Sequence, residues 1–208
     1  MTWMLTVSGK SIDLDCIADH KVTAQDIAYS LSNINRFTGH ALRNVSVAEH
    51  SLMVCAIAER QLNVRSPSGL LAALMHDAHK YLTGDVSAQM KLLVGPAWDV
   101  VEERIQRDVL SRFGLLTAFH GHRGTIKAAR LMALTAERQQ LMFDDGLTWP
   151  CETTHPAPEW VRYGGDSAAF TADEWRQAFI NRFNELTALQ RQQQRALDTP
   201  GPFVAPTL

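Results

Sequence analysis

Apolar residues recur every three or four positions through most of the chain, the spacing of helices with one buried face. Behind Thr23, whose hydroxyl suits a helix cap, Ile27, Leu31 and Ile34 fall on one side. Ser46-Val47-Ala48-Glu49 has the spacing of a capping box, and the helix it opens carries Val47, Leu52, Val54, Cys55 and Ile57. Residues 68–79, SGLLAALMHDAH, are apolar nearly all round until His76, as in a helix at the centre of a bundle. Gly84-Asp85 breaks the pattern and Gly95-Pro96 breaks it again. Trp98, Val101, Ile105, Val109 and Phe113 then mark an amphipathic helix. Ile126, Leu131, Leu134, Leu141 and Met142 mark another, from about Thr125 to Phe143.

The remaining text is of three kinds. Residues 3–14, WMLTVSGKSIDL, alternate around Ser8-Gly9-Lys10 and predict a minor N-terminal hairpin. Asp144–Phe170 holds three of the eight prolines with Trp149 and Trp160, and reads as a long irregular connection of the kind that covers a site or moves. Thr171-Ala172-Asp173-Glu174 is a second capping box, opening a final helix with Trp175, Phe179, Phe183 and Leu186. Past Leu189 that helix turns polar (QRQQQR), and the chain closes on the Pro-rich TPGPFVAPTL. The expected fold is all-α: a single-domain helical bundle over residues 1–190 with the minor hairpin, followed by a polar tail over 191–208.

Composition narrows the function classes. The 208 residues carry a formal net charge of −2, against a surface built to bind a nucleic acid polymer, although a local basic pocket can sit inside a neutral total. Cys16, Cys55 and Cys151 are too few and too scattered for a disulfide framework or a CxxC metal clip. No apolar run approaches the roughly 20 residues of a membrane span. The opening MTWMLTVSGK lacks the basic-then-apolar pattern of a secretory leader, so no membrane partner and a cytoplasmic location are expected. Eight histidines exceed what a domain of this size needs for packing.

The chemistry concentrates at His76-Asp77, set in an apolar helix, with His50 near the start of another. A buried carboxylate costs several kcal/mol unless it is paired or bound to a cation. Two imidazoles and a carboxylate from neighbouring helices make a mixed N/O site for a divalent metal; a satisfied core histidine beside a solvated aspartate is the plainer reading of the same residues. The motifs RFTGH (36–40), SVAEHS (46–51) and HDAHKYLTGDV (76–86), in this order, resemble the HD-domain phosphohydrolases, in particular the bacterial 5′-deoxynucleotidases and their phage and prophage relatives. The likeness continues through IKAARLMALTAERQQLM (126–142) and covers roughly residues 3–186.

That resemblance implies an HD-type helical bundle whose divalent metal ion (Mn, Co, Mg, Fe or Zn) is held by His50, His76 and Asp77. It places Asp77 and Asp85 among the catalytic groups, with Asp85 near the sugar of a nucleotide. It places Arg36 and Phe37 beside phosphate and base: a guanidinium suits a phosphate fork and an aromatic ring a stacked base. His40, in the same RFTGH motif, is a further candidate to face phosphate. The family's pairing through helical faces makes a homodimer compatible with the sequence. Two positions depart from the pattern. Lys80 stands where the family has a catalytic acid, and Arg130 stands where it has a further ligand aspartate.

Each departure reverses a charge. Two unit charges about 5 Å apart at an effective dielectric of about 20 repel by on the order of 3 kcal/mol, roughly a hundredfold in affinity, and a divalent ion feels twice that. The sequence leaves three resolutions open. A shifted alignment lets Glu137, Asp144 or Asp145 supply the missing carboxylate, although Glu137 has a match of its own. His79, three positions after His76, adds a ligand on the same helix face. Or the two cations themselves become the phosphate-binding charges.

The expected function is a metal-dependent phosphohydrolase acting on deoxynucleoside 5′-mono- or triphosphates. The alternative is a catalytically impaired relative that binds nucleotide without efficient hydrolysis, and a third, weaker reading is an adaptor acting through QRQQQR and the tail. His120 and His122, in FHGHRG, read as a surface loop, and His20 and His155 stand in loop-like text. Trp149 and Trp160 either lid a base or pack the long connection down.

Overall fold

The computed structural model describes residues 2–17 and 22–198. Its N-terminus is the expected hairpin: β1 (Trp3–Leu5) pairs antiparallel with β2 (Ser11–Asp13), Met4 opposite Ile12. Gly9, at φ 77°, takes the left-handed position of the turn that only glycine adopts freely.

Helices begin where the capping residues put them. Thr23 accepts the Asp26 amide ahead of α1 (Ala24–Asn33), and Ser46 accepts the Glu49 amide ahead of α2 (Val47–Arg60). Only half of the Ser46/Glu49 capping box forms, because the Glu49 carboxylate turns to Arg43, 2.6 Å away. Ser66, with Pro67 at the first helical position, starts α3 (Pro67–Leu74). Gly69 admits no larger residue there: a Cβ would lie 2.6 Å from Nε2 of His122.

The expected helix 68–79 therefore starts one residue earlier and stops at Leu74. His76 Nδ1 donates to the Ala73 carbonyl at 2.8 Å, and a side chain that takes a carbonyl competes with the helical ladder. The chain continues through i→i+3 turns, Ala78 N to Met75 O and Lys80 N to Asp77 O, into the single turn of α4 (Lys80–Thr83). Gly84, at φ 72°, ends it. Past that break lie α5 (Ala88–Val94), α6 (Pro96–Arg112), α7 (Leu116–Gly121) and α8 (Arg123–Leu141).

His120 and His122 are not in a surface loop. His120 lies in the last turn of α7, and His122 joins α7 to α8 with its ring 3.2 Å from Ser66 Oγ. The connection 144–170 holds the short α9 (Pro150–Thr154) and a 3-10 turn, Asp166–Ala169. Both halves of the Thr171/Glu174 capping box form ahead of α10 (Ala172–Asp198).

In the core, α2 packs on α3 and α8 while α10 lies across α1, α2 and α3. Ile27, Leu31, Val54, Ile57, Leu74 and Phe179 meet there with no exposure, each side chain contributing about 1.5–3 kcal/mol of burial. The fold is all-α with a minor hairpin, as expected. Beyond Leu186 no residue of α10 is buried; residues 191–198 are its exposed last turns, while 199–208 and His20 lie outside the described residues. No described helix is long and apolar enough to cross a membrane, and all three cysteines are free.

Candidate functional site

The turn that ends α3 delivers His76 and Asp77 to the first turn of α2, where His50 sits. Their three ligand atoms lie within 4.8 Å of one another and all three residues are buried. The protons of both imidazoles are placed by their partners. His76 gives its Nδ1 hydrogen to the Ala73 carbonyl, which can only accept, so Nε2 keeps a lone pair; that nitrogen is buried, receives no hydrogen bond and lies 3.3 Å from Oδ2 of Asp77. His50 Nδ1 lies 2.8 Å from Oε1 of Glu137, again an acceptor, and so turns its own Nε2 toward Asp77, 3.8 Å away. A carboxylate or carbonyl behind each imidazole is the second-layer support that metal-bound histidines require.

Charge states agree with that arrangement. Burial lowers both histidines, His76 to about 4, and outweighs the upward pull of Asp77 on His76 and of Glu137 on His50, so each is neutral near pH 7. Burial pushes Asp77 up, but surrounding positive charge outweighs it and holds the carboxyl well below the usual range. With His76 neutral, the charge doing this at pH 7 is chiefly the Lys80 ammonium. Glu137 is held down to about 2 in the same manner: burial raises it, and Arg36, at 2.8 Å, more than offsets burial.

His50, His76 and Asp77 could therefore hold a metal ion, as two neutral nitrogens and one carboxylate. Lys80 is their competitor. Its Nζ lies 2.6 Å from Oδ2 of Asp77, the oxygen nearest both histidines, and 2.6 Å from Oδ1 of Asp85. Arg130 does not enter the cluster. It is exposed and makes no side-chain hydrogen bond or salt bridge among the described residues, although its charge reaches His76 and Asp77.

None of the carboxylates considered as a replacement ligand joins the metal cluster. Glu137 is committed to Arg36, His50 and the Tyr163 hydroxyl. Asp144 and Asp145 face Arg138 on the outside of the protein. His79 is not a further ligand either: with α3 ended at Leu74 it no longer shares a face with His76, and its Nε2 lies 3.2 Å from Glu102 of α6.

A cavity of about 590 Å³ opens beside the cluster. Arg36, Lys80 and Asp85 line its polar side; Phe37, Leu134 and Trp149 line its apolar side. Arg36 lies over the Phe37 ring at 5.0 Å, and Phe37 faces Trp149 at 6.5 Å. Phe37 and Thr38 both sit at φ 55°, a strained region for residues with a Cβ and rare for a β-branched one, of the kind found at binding sites. The long connection thus covers the site with Trp149, whereas Trp160 packs against Arg60 elsewhere. His40 is exposed and lines neither this cavity nor the second one described below.

Sequence reasoning passed over the residues that hold the site in place. Tyr163 reaches Glu137 from the long connection, and Arg43 ties the Tyr163 carbonyl to Glu49 of α2. Partners 26 to 120 positions apart leave no local signal.

No protein-family model matches the chain. The uncharacterized protein YfdR of Escherichia coli is 31% identical over 191 residues, covering 92% of this chain and 99% of YfdR. An uncharacterized protein of Rhodobacter capsulatus is also 31% identical, over 147 residues, covering 67% of this chain and 72% of that protein.

Proposed function

The chain belongs to the family of YfdR, and we propose that it is a metal-dependent phosphohydrolase of the HD-domain type acting on deoxynucleoside 5′-phosphates. The observation that carries this reading is the pair of imidazoles at positions 50 and 76. Both donate through Nδ1 and keep Nε2 free, beside an ionised Asp77. A divalent ion held by these three residues would polarise a phosphoryl oxygen and activate a bound water.

The chain's own residues supply the rest. Arg36, fixed between Glu137 and Asp85, presents a guanidinium to a phosphate. Phe37 and Trp149 offer apolar ring surface to a base. Asp85 keeps acceptor capacity for a sugar hydroxyl, and Lys80 between Asp77 and Asp85 is placed to move from carboxylate to phosphate oxygen.

The Lys80–Asp77 contact also favours a second reading, nucleotide binding without efficient hydrolysis, because the ammonium holds an oxygen that a metal needs. The test is phosphate release from a panel of deoxynucleotides with Mn²⁺, Co²⁺ or Mg²⁺, alongside elemental analysis of the purified protein. Release that disappears in His50→Gln supports the phosphohydrolase. No release, with nucleotide binding retained in calorimetry, selects the second reading. Neither release nor binding overturns both.

A further inference from the structure

A second cavity, of about 460 Å³, lies on the other side of Arg130, between α6, α7 and α8. His76 lines it, so it borders the candidate metal cluster. Its walls carry Arg107 from α6 and Arg123, Lys127 and Arg130 from α8, with Glu103 as the one lining carboxylate. Arg123, Lys127 and Arg130 follow one face of α8 at i, i+4 and i+7, over about 10 Å of helix axis.

This arrangement works against the fold that holds it. Like charges at i, i+3 and i, i+4 repel. Arg123 occupies the first position of α8, where a cation opposes the helix dipole; the first turn has no acidic residue and no side-chain cap. The side chains of Arg123, Lys127 and Arg130 make no hydrogen bond or salt bridge among the described residues, so no direct contact offsets these repulsions.

We propose that this cavity is an anion site for an oligophosphate, a chain of phosphoryl groups running from Arg130 past Lys127 to Arg123. The length of the basic face exceeds a single phosphate and suits a chain. Two sources share this chemistry: inorganic oligophosphate and the phosphate tail of a nucleoside triphosphate whose base lies against Phe37 and Trp149. The nucleotide source rests on the function proposed above, and oligophosphate binding itself does not.

The experiment is calorimetric titration of the chelator-treated protein with inorganic tripolyphosphate and with orthophosphate at low ionic strength. Tripolyphosphate binds at least tenfold more tightly than orthophosphate. The double variant Arg123→Gln/Lys127→Gln loses at least tenfold of the tripolyphosphate affinity, and the single exposed change Lys127→Ala loses at least threefold and serves where the double variant folds poorly. Displacement of tripolyphosphate by dATP assigns the cavity to a nucleotide tail; binding without displacement assigns it to inorganic oligophosphate. Equal affinity for the two anions, or affinity unchanged in the variants, overturns the inference. A protein that hydrolyses a deoxynucleoside monophosphate yet ignores tripolyphosphate refutes this site alone, and one that binds tripolyphosphate without turnover refutes the proposed activity alone.

Discussion

The two cavities that meet at Arg130 treat positive charge in opposite ways. On one side Arg36 and Lys80 are buried, and each sits within reach of two carboxylates: Glu137 and Asp85 for Arg36, Asp77 and Asp85 for Lys80. On the other side Arg123, Lys127 and Arg130 are exposed, and their side chains have no acidic partner among the described residues. A cation taken out of water must bring its counterion with it, whereas a cation left at a cavity wall can wait for one. The first set belongs to the fold, and the second is complete only with a ligand.

The comparison is tested most severely at Glu137. Glu137→Ala leaves Arg36 buried beside one distant acid, and leaves His50 and Tyr163 without their acceptor, and should cost about 3–5 kcal/mol. Denaturant unfolding measures it; a loss under about 1 kcal/mol would mean that the buried charges are not a matched set.

Lys80→Gln comes next. Removing the ammonium frees Oδ2 of Asp77 and should raise Mn²⁺ affinity by up to about a hundredfold, the equivalent of about 3 kcal/mol. Unchanged affinity in a Mn²⁺ titration would show that Lys80 does not compete for the site.

A third pair carries the contrast to low pH. Burial pushes Glu102 up, but hydrogen bonds from His79 and Lys91 outweigh burial and hold it down to about 2. A depressed carboxylate stabilises the fold above its unfolded pKa, about 4.5, and that stability is lost as pH falls through about 2. Allowing for its partial exposure, on the order of 1–2 kcal/mol should disappear across that window. Glu102→Gln should flatten the acid limb of a stability–pH curve, and an identical limb would refute the assignment.

The smallest effect has the opposite sign. Arg123→Gln should stabilise the ligand-free protein by a few tenths of a kcal/mol, because it removes a cation from the start of α8 and from the neighbourhood of Lys127. Thermal unfolding that moves the other way would show that Arg123 already has a use within the fold.

Much of this architecture can be read from the residues in order. Thr23, Ser46 and Thr171 start their helices as capping residues should, and the apolar face of α2 is written at helical spacing. Ala88–Val94 is a different case: Met90, Leu92, Leu93 and Val94 are apolar yet at least half exposed, so no buried stripe marks α5. His79 was misplaced because i, i+3 residues share a face only while the helix continues, and His76 itself ends that helix by taking the Ala73 carbonyl.

The cluster of His50, His76 and Asp77 was legible because its residues sit in recognisable motifs. The clamp of Glu137, Tyr163 and Arg43 was not, because its partners are joined only by the tertiary fold. The basic cavity was hidden differently: a net charge of −2 averages Arg123, Lys127 and Arg130 with acids placed elsewhere on the molecule.

The ammonium of Lys80, lodged between Asp77 and Asp85, gives the pocket the character of an ion exchanger. Loading with a divalent cation is a trade of one positive charge for another, not the filling of a bare acidic hole. The released ammonium stays tethered at Asp85, within the same cavity, where an incoming phosphate would meet it.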